Sequence, residues 1–166
     1  MLDLTEKLMS RHAPRERAKG RVYVSEVYAL LQGWEQRPVG VFEAIRMLRG
    51  ETKHNLVQSL LPDTYQMEVK VEYPFGNGLV LVGKADALAD DHGLEIKTSE
   101  ELLPSAKEWQ VCQSRLYAAL FHRPFVIVQP VWTADKLYLK KLRECREDQA
   151  WFEKTLKILE TLNNRQ

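Results

Sequence analysis

The spacing of apolar residues changes along this chain, and each change marks an element. Residues 3–18 suit a short helix with a basic end (Arg11, Arg15, Arg17, Lys19, Arg21), and Gly20 divides it from the next element. Ser25 is placed to N-cap a helix over 26–35 that carries Val27, Leu30 and Leu31 on one face. Beyond Pro38 and Gly40, the residues Phe42, Ile45, Leu48, Leu56, Val57 and Leu60 recur at helical spacing. They predict a helix over 41–60, bent or broken at Gly50.

After Pro62-Asp63 the period drops to two. Tyr65, Met67, Val69 and Val71 alternate with Gln66, Glu68, Lys70 and Glu72, the pattern of a half-buried strand. Phe75-Gly76-Asn77-Gly78 is a hairpin turn, and a second strand follows over 79–89. Asp90-Asp91-His92-Gly93 turns the chain into a third strand, Leu94–Thr98, so that 65–98 reads as an antiparallel meander. A helix over 104–121 with Pro104 near its first turn, a buried strand over Phe125–Val131, an exposed strand over Lys136–Lys141 and an amphipathic helix over 144–162 complete the order. The third strand, the helix and the fourth strand have the length of a βαβ crossover. The fold class that results is α/β, a mixed sheet flanked by helices.

Composition narrows the class. The chain has 166 residues, 45% hydrophobic and 28% charged, which suits a single globular domain and excludes a disordered or collagen-like chain. The expected organisation is a helical segment over 1–40, a core over 41–142 and a C-terminal helix over 143–166. No apolar run approaches the ~20 residues of a membrane span. The opening Met1–Lys7 lacks the layout of a signal peptide. The expected location is therefore cytoplasmic, the host's cytoplasm if the chain is viral. The net charge of +1 argues against a passive nucleic-acid coat but leaves room for a local basic patch. The two cysteines, Cys112 and Cys145, cannot supply four thiolates and read as small core residues.

The chemistry concentrates around the hairpin. Glu95 and Lys97 are two apart on a strand and share a face, while Asp86 lies on the neighbouring antiparallel strand. Two carboxylates beside a lysine are costly to bury unless a divalent cation relieves their repulsion, and hard oxygen ligands suit Mg²⁺ or Mn²⁺. Glu-x-Lys occurs three times, where roughly half an occurrence is expected by chance. Glu51-Thr52-Lys53 and Glu68-Val69-Lys70 read as solvated faces. Only Glu95-Ile96-Lys97 has apolar flanks and a hairpin that brings in an aspartate. Gln113 and Tyr117, four apart, share a face of the next helix, and His54 lies on the helix before the meander.

The order Gly50-x-x-x-His54, Gly83-x-x-Asp86, Glu95-x-Lys97 and Gln113-x-x-x-Tyr117 resembles the RecB-type nucleases of the PD-(D/E)XK superfamily, which include CRISPR-associated exonucleases. The resemblance covers roughly 50–121, and Val24–Tyr28 is similar too. It implies a restriction-endonuclease-like αβββαβ core and a Mg²⁺- or Mn²⁺-dependent deoxyribonuclease, an exonuclease on single strands or DNA ends. By the resemblance, His54, Asp86, Glu95 and the Ile96 carbonyl bind the metal, and Lys97 orients the attacking water. Gln113 and Tyr117 position Lys97 and the DNA backbone. The iron–sulfur cluster of many relatives is missing, because its cysteines are.

Arg21, Lys53, Lys84, Lys107 and Arg115 are the candidate DNA contacts, and the segment 11–21 adds positive charge. Tyr28, Trp34, Trp109 and Trp132 read first as core aromatics, with base stacking as the alternative. A homo-oligomer is compatible with the sequence. Two other readings stay open: a non-catalytic nucleic-acid- or protein-binding domain of the same fold, and an unrelated α/β module with a surface ion-pair network.

Overall fold

The computed structural model describes residues 3–13, 18–34, 37–76 and 78–164. Among them the chain forms α1 (Thr5–Arg11), β1 (Arg21–Tyr23), a 3-10 turn (Val24–Glu26), α2 (Val27–Leu31) and α3 (Val41–Leu60). Then come β2 (Gln66–Phe75), β3 (Leu79–Leu88), β4 (Gly93–Ile96), α4 (Glu108–Phe121), β5 (Phe125–Trp132), β6 (Leu137–Cys145) and α5 (Gln149–Asn163). The six strands make one mixed sheet flanked by helices, a restriction-endonuclease-like arrangement. No helix among the described residues is long and apolar enough to cross a membrane.

β3 is the axis of the sheet. Along one edge β2 pairs antiparallel with it, Gln66↔Leu88 to Phe75↔Leu79. The other edge is divided. β1 runs parallel to Val80–Val82, whereas β4 meets only Ala87 and Leu88. Among the described residues no strand lies beside 83–86 on that edge, the Gly-x-x-Asp segment, and this gap positions the site. β4 pairs parallel with β5, the two being linked through α4, and β6 closes the far edge antiparallel to β5.

The core has two parts. The larger one, between sheet and helices, holds Leu81, Ala85, Leu116, Tyr117, Phe125, Phe152 and Leu159, with Val22, Val24 and Val27 from the N-terminal segment. The smaller one packs Val57 of α3 on Ala87, Leu94, Ile96 and Val128. All four residues of β4 are buried, because both of its faces are covered.

Several boundaries differ from those the sequence predicts. The N-terminal segment contributes β1 as well as helices, and Ser25 sits inside the 3-10 turn instead of capping a helix. α3 continues through Gly50. A Cβ there would meet Thr98 Oγ1 at 3.1 Å, and the Thr98 hydroxyl donates to the Gly50 carbonyl at 3.2 Å, so the glycine serves close approach. α4 starts at Glu108, because the Gln110 side chain folds back to accept the Lys107 N–H at 2.8 Å and leaves Pro104 outside. The last strand extends to Cys145, so α5 starts later, with Asp148 as its N-cap accepting the Trp151 N–H at 3.0 Å. Trp34, Trp109 and Trp132 are 60%, 41% and 47% exposed and are not core aromatics. Cys112 and Cys145 are buried and free. Arg15, Arg17 and Asn77 lie outside the described residues.

Candidate active site

Beyond Ala87↔Leu94 the strands β3 and β4 part, and the next residues outward are Asp86 and Glu95. Parting leaves backbone groups without a ladder partner, which must be satisfied another way. Asp86 Oδ2 accepts the Ile96 N–H at 2.7 Å. On β3 itself, the Tyr117 hydroxyl replaces the absent strand: it donates to the Lys84 carbonyl at 2.9 Å and accepts the Lys84 N–H at 3.2 Å. The Tyr117 ring fits only because residue 83 is glycine, since a Cβ there would lie 2.7 Å from Cε1. Burial raises the Tyr117 pKa well above the phenol range and keeps the hydroxyl protonated as a donor.

Glu95 is 2% exposed. Its Oε1 accepts from Lys97 Nζ at 2.5 Å, and Lys97 Nζ also donates to Gln113 Oε1 at 2.9 Å. The other oxygen, Oε2, is buried without a hydrogen-bond partner. Burial first, then the charge of Asp86, pushes the Glu95 carboxyl up to about 7 against the opposing pull of Lys97. Such an oxygen is expensive to leave unmatched.

Across the cleft, α3 brings its own donors. His54 Nε2 lies 3.1 Å from Asp86 Oδ1. Burial works against the imidazolium, but the hydrogen bond and charge of Asp86, with Glu68 and Glu95, outweigh it and raise the His54 pKa. Gln58 Nε2 donates to Glu68 Oε1 at 2.9 Å and to the Asp86 carbonyl at 2.7 Å. Ligand atoms of His54, Glu68 and Asp86 all lie within 4.8 Å of one another.

Glu68, which the alternation of β2 assigns to a solvated face, instead enters the cleft, drawn in by its backbone. The β2–β3 ladder keeps its register but is interrupted between Met67↔Ala87 and Val69↔Ala85, where Glu68 stands opposite Asp86 and takes φ 55°, a left-handed conformation unusual for a residue with a side chain. Lys84 pairs with it. Together with Gln58 that lysine holds the Glu68 carboxyl below its ordinary pKa, although partial burial opposes this. Alternation alone gives no signal for this break in the ladder.

The cleft, about 840 Å³, is lined by His54, Glu68, Lys84, Asp86, Glu95, Ile96, Lys97 and Gln113, among others. The structure thus brings His54, Asp86, Glu95, Ile96, Lys97 and Gln113 together along the cleft, while Tyr117 does not line it: its ring is buried, and its hydroxyl sits at the edge of β3 against Lys84 and beside Gln113. Of the candidate DNA contacts, Lys84 lines the cleft, and Lys53 and Lys107 line an adjoining hollow. Arg21 and Arg115 lie elsewhere. Arg21 is paired with Glu72, and Arg115 with Asp148 at 2.7 Å, stacked on Trp151.

The donors fit a hard divalent cation: two carboxylates and an imidazole close together (Glu68, Asp86, His54), with the partnerless buried oxygen of Glu95 in the same cleft.

No protein-family model matches the chain, and no curated protein sequence does. Solved structures do. SSO0001 superposes with a TM-score of 0.65 at 19% identity, covering 98% of this chain and 85% of the other. LHK-Exo in complex with dAMP gives 0.58 at 16% identity, with 97% and 92% covered. LHK-Exo alone, an alkaline exonuclease from Laribacter hongkongensis, gives 0.54 at 17% identity, with 97% and 94% covered. At these identities the likeness shows the shared fold.

Proposed function

We propose that this chain is a metal-dependent DNA nuclease of the RecB-like type, hydrolysing phosphodiester bonds as an exonuclease on single strands or DNA ends. One observation carries the reading. A buried carboxylate, Glu95, keeps one oxygen for Lys97 and leaves the other unpartnered, at a cleft that also holds Asp86, Glu68 and His54. A surface ion-pair network does not bury an unmatched carboxylate oxygen. The shared fold with an alkaline exonuclease, and with its complex with a nucleotide, supports the same reading.

Asp86, Glu95 and His54 would hold Mg²⁺ or Mn²⁺, with the Ile96 carbonyl as a backbone ligand and Glu68 as a further carboxylate. The chemistry supplied there would be neutralisation of the phosphate oxygens and a lower pKa for an attacking water. The rest falls to the chain's own residues. Lys97 has three N–H donors. Glu95 and Gln113 take two of them and fix its direction, and the third serves the attacking water or a phosphate oxygen. Asp86 does two tasks at once, tying β4 to β3 through the Ile96 N–H and orienting His54. Lys53, Lys84 and Lys107 offer phosphate contacts around the cleft.

The test is cleavage of end-labelled single- and double-stranded DNA with Mn²⁺, Mg²⁺ or EDTA, run beside Lys97→Ala and Glu95→Ala. Products that need metal and vanish in both variants are expected, and the label pattern gives the polarity. Equal binding of DNA by all three proteins with no cleavage in any metal would leave a binding domain instead.

A further inference from the structure

We propose that Trp109 is the stacking platform for the base beside the scissile phosphate of a single-stranded polynucleotide, and that the strand reaches it along a basic hollow next to the cleft. Only the position of the phosphate rests on the proposed nuclease function. α4 buries seven of its fourteen residues, yet Trp109, in its first turn, is 41% exposed. The indole lies over Lys97, with Nζ 4.8 Å from the ring centroid. Whatever Lys97 touches therefore lies within reach of this ring. Gln113, one turn on, holds the same ammonium, so the face of α4 that aims the lysine also presents the aromatic surface.

Trp109 also stands between two hollows. On one side is the cleft of the carboxylates. On the other is a hollow of about 630 Å³ lined by Arg46, Arg49, Lys53 and Lys107, against Glu100 and Glu101. Of these, Arg49 is tied to Glu100 at 3.3 Å, which leaves a net positive path leading to the ring. Cations along a backbone track and an aromatic at its end are the two elements of single-strand binding. In a duplex the faces of each base are covered by its neighbours, so only an unpaired or terminal base offers a face to the indole. The arrangement therefore selects single strands and frayed ends over paired interior.

The experiment measures binding of fluorescein-labelled oligo(dT) to the full chain by anisotropy in EDTA, so that no cleavage intervenes. Trp109→Ala is expected to weaken binding about ten-fold, with Trp109→Phe within about three-fold of wild type. A single abasic site is then walked along the oligonucleotide. One position should cost wild type about ten-fold and cost Trp109→Ala less than about two-fold, because the partner of that base is already gone. Oligo(rU) run in parallel decides between DNA and RNA as the strand. Unchanged affinity in Trp109→Ala, an abasic profile equal in both proteins, or no binding at all would overturn the platform. Cleavage in Mn²⁺ is scored separately. Metal-dependent products with a flat abasic profile refute the platform alone, whereas a position that costs wild type but not Trp109→Ala, found without cleavage, keeps it and refutes the nuclease.

Discussion

The cleft has two walls, and they are built differently. α4, the wall that carries Gln113, buries Gln110, Cys112, Ser114, Leu116, Tyr117, Ala118 and Ala119. α3, the wall that carries His54, is longer yet buries only Ala44 and Val57. Phe42 on α3 is 91% exposed, and Met47, Leu56 and Leu60 are also in solvent. Few buried apolar contacts mean low local stability. Lys97 is thus aimed from a rigid side, while the imidazole opposite is held by its own cleft contacts: His54 to Asp86, Gln58 to the Asp86 carbonyl, and Gly50 to Thr98. Rigidity is placed around the ammonium, and tolerance around the imidazole that the proposed function assigns to an ion.

The strongest way to break this contrast is Leu116→Ala. Leu116 is fully buried on α4, so a cavity should cost about 2–5 kcal/mol in urea unfolding. A loss under about 1 kcal/mol would mean that α4 collapses easily and is no more anchored than α3.

Glu95 sharpens the contrast through pH. Its carboxyl is raised from 4.5 to about 7 in the folded protein. Between those values the native state holds a proton that the unfolded chain has released. Stability of the metal-free protein must therefore fall as pH rises through this window. The raised His54 pKa acts in the same direction, its contribution being lost as pH rises through the folded value. Thermal scans in EDTA from about pH 5 to about pH 8 should show the decline, and Glu95→Gln should flatten the larger part of it. With Mn²⁺ the trend should oppose it, because ligands bind metal in their deprotonated forms. A rise in stability with pH in EDTA would show Glu95 to be an ordinary ion-paired acid.

Tyr117→Phe asks what the rigid wall does for the site. Losing the hydroxyl leaves the Lys84 N–H and carbonyl without the partner that replaces a strand, at a cost of about 1–3 kcal/mol. Cleavage by the folded variant should stay within about ten-fold of wild type, since the Tyr117 hydroxyl bonds the Lys84 backbone and reaches Lys97 only through Gln113. A far greater loss of activity at unchanged stability would give Tyr117 the positioning role that the sequence resemblance implies for it.

What is legible in the sequence is what periodicity and spacing encode. The period-two run from Tyr65 and the turn at Gly76 produce the meander, and Glu95-x-Lys97 with Gln113 four residues before Tyr117 produces the geometry around the ammonium. The rest depends on tertiary contacts. β1 is three residues long and its strand partner among the described residues is β3, so Arg21–Tyr23 carry no strand pattern of their own. Glu68 enters the cleft at a break in the β2–β3 ladder opposite Asp86, and a single residue at positive φ leaves no trace in an alternating run. Trp109 repeats the spacing of Gln113 and Tyr117 one turn earlier. That signal is present, but an isolated tryptophan reads as core until its exposure is seen.

The smallest expected effect lies on the loose wall. Phe42 projects from the first turn of α3 and is 91% exposed, so Phe42→Ser removes almost no buried surface. Its cost should stay within about 0.5 kcal/mol. Ser is a somewhat poorer helix former than Leu or Ala but close to Phe, so propensity alone adds little. The measurement is the urea midpoint at a constant slope, because a changed slope would point to a different unfolded or native surface. A loss above about 1 kcal/mol would mean that the outward face of α3 is covered in solution. α3 would then be anchored from outside as α4 is from within, and the asymmetry between the walls would disappear.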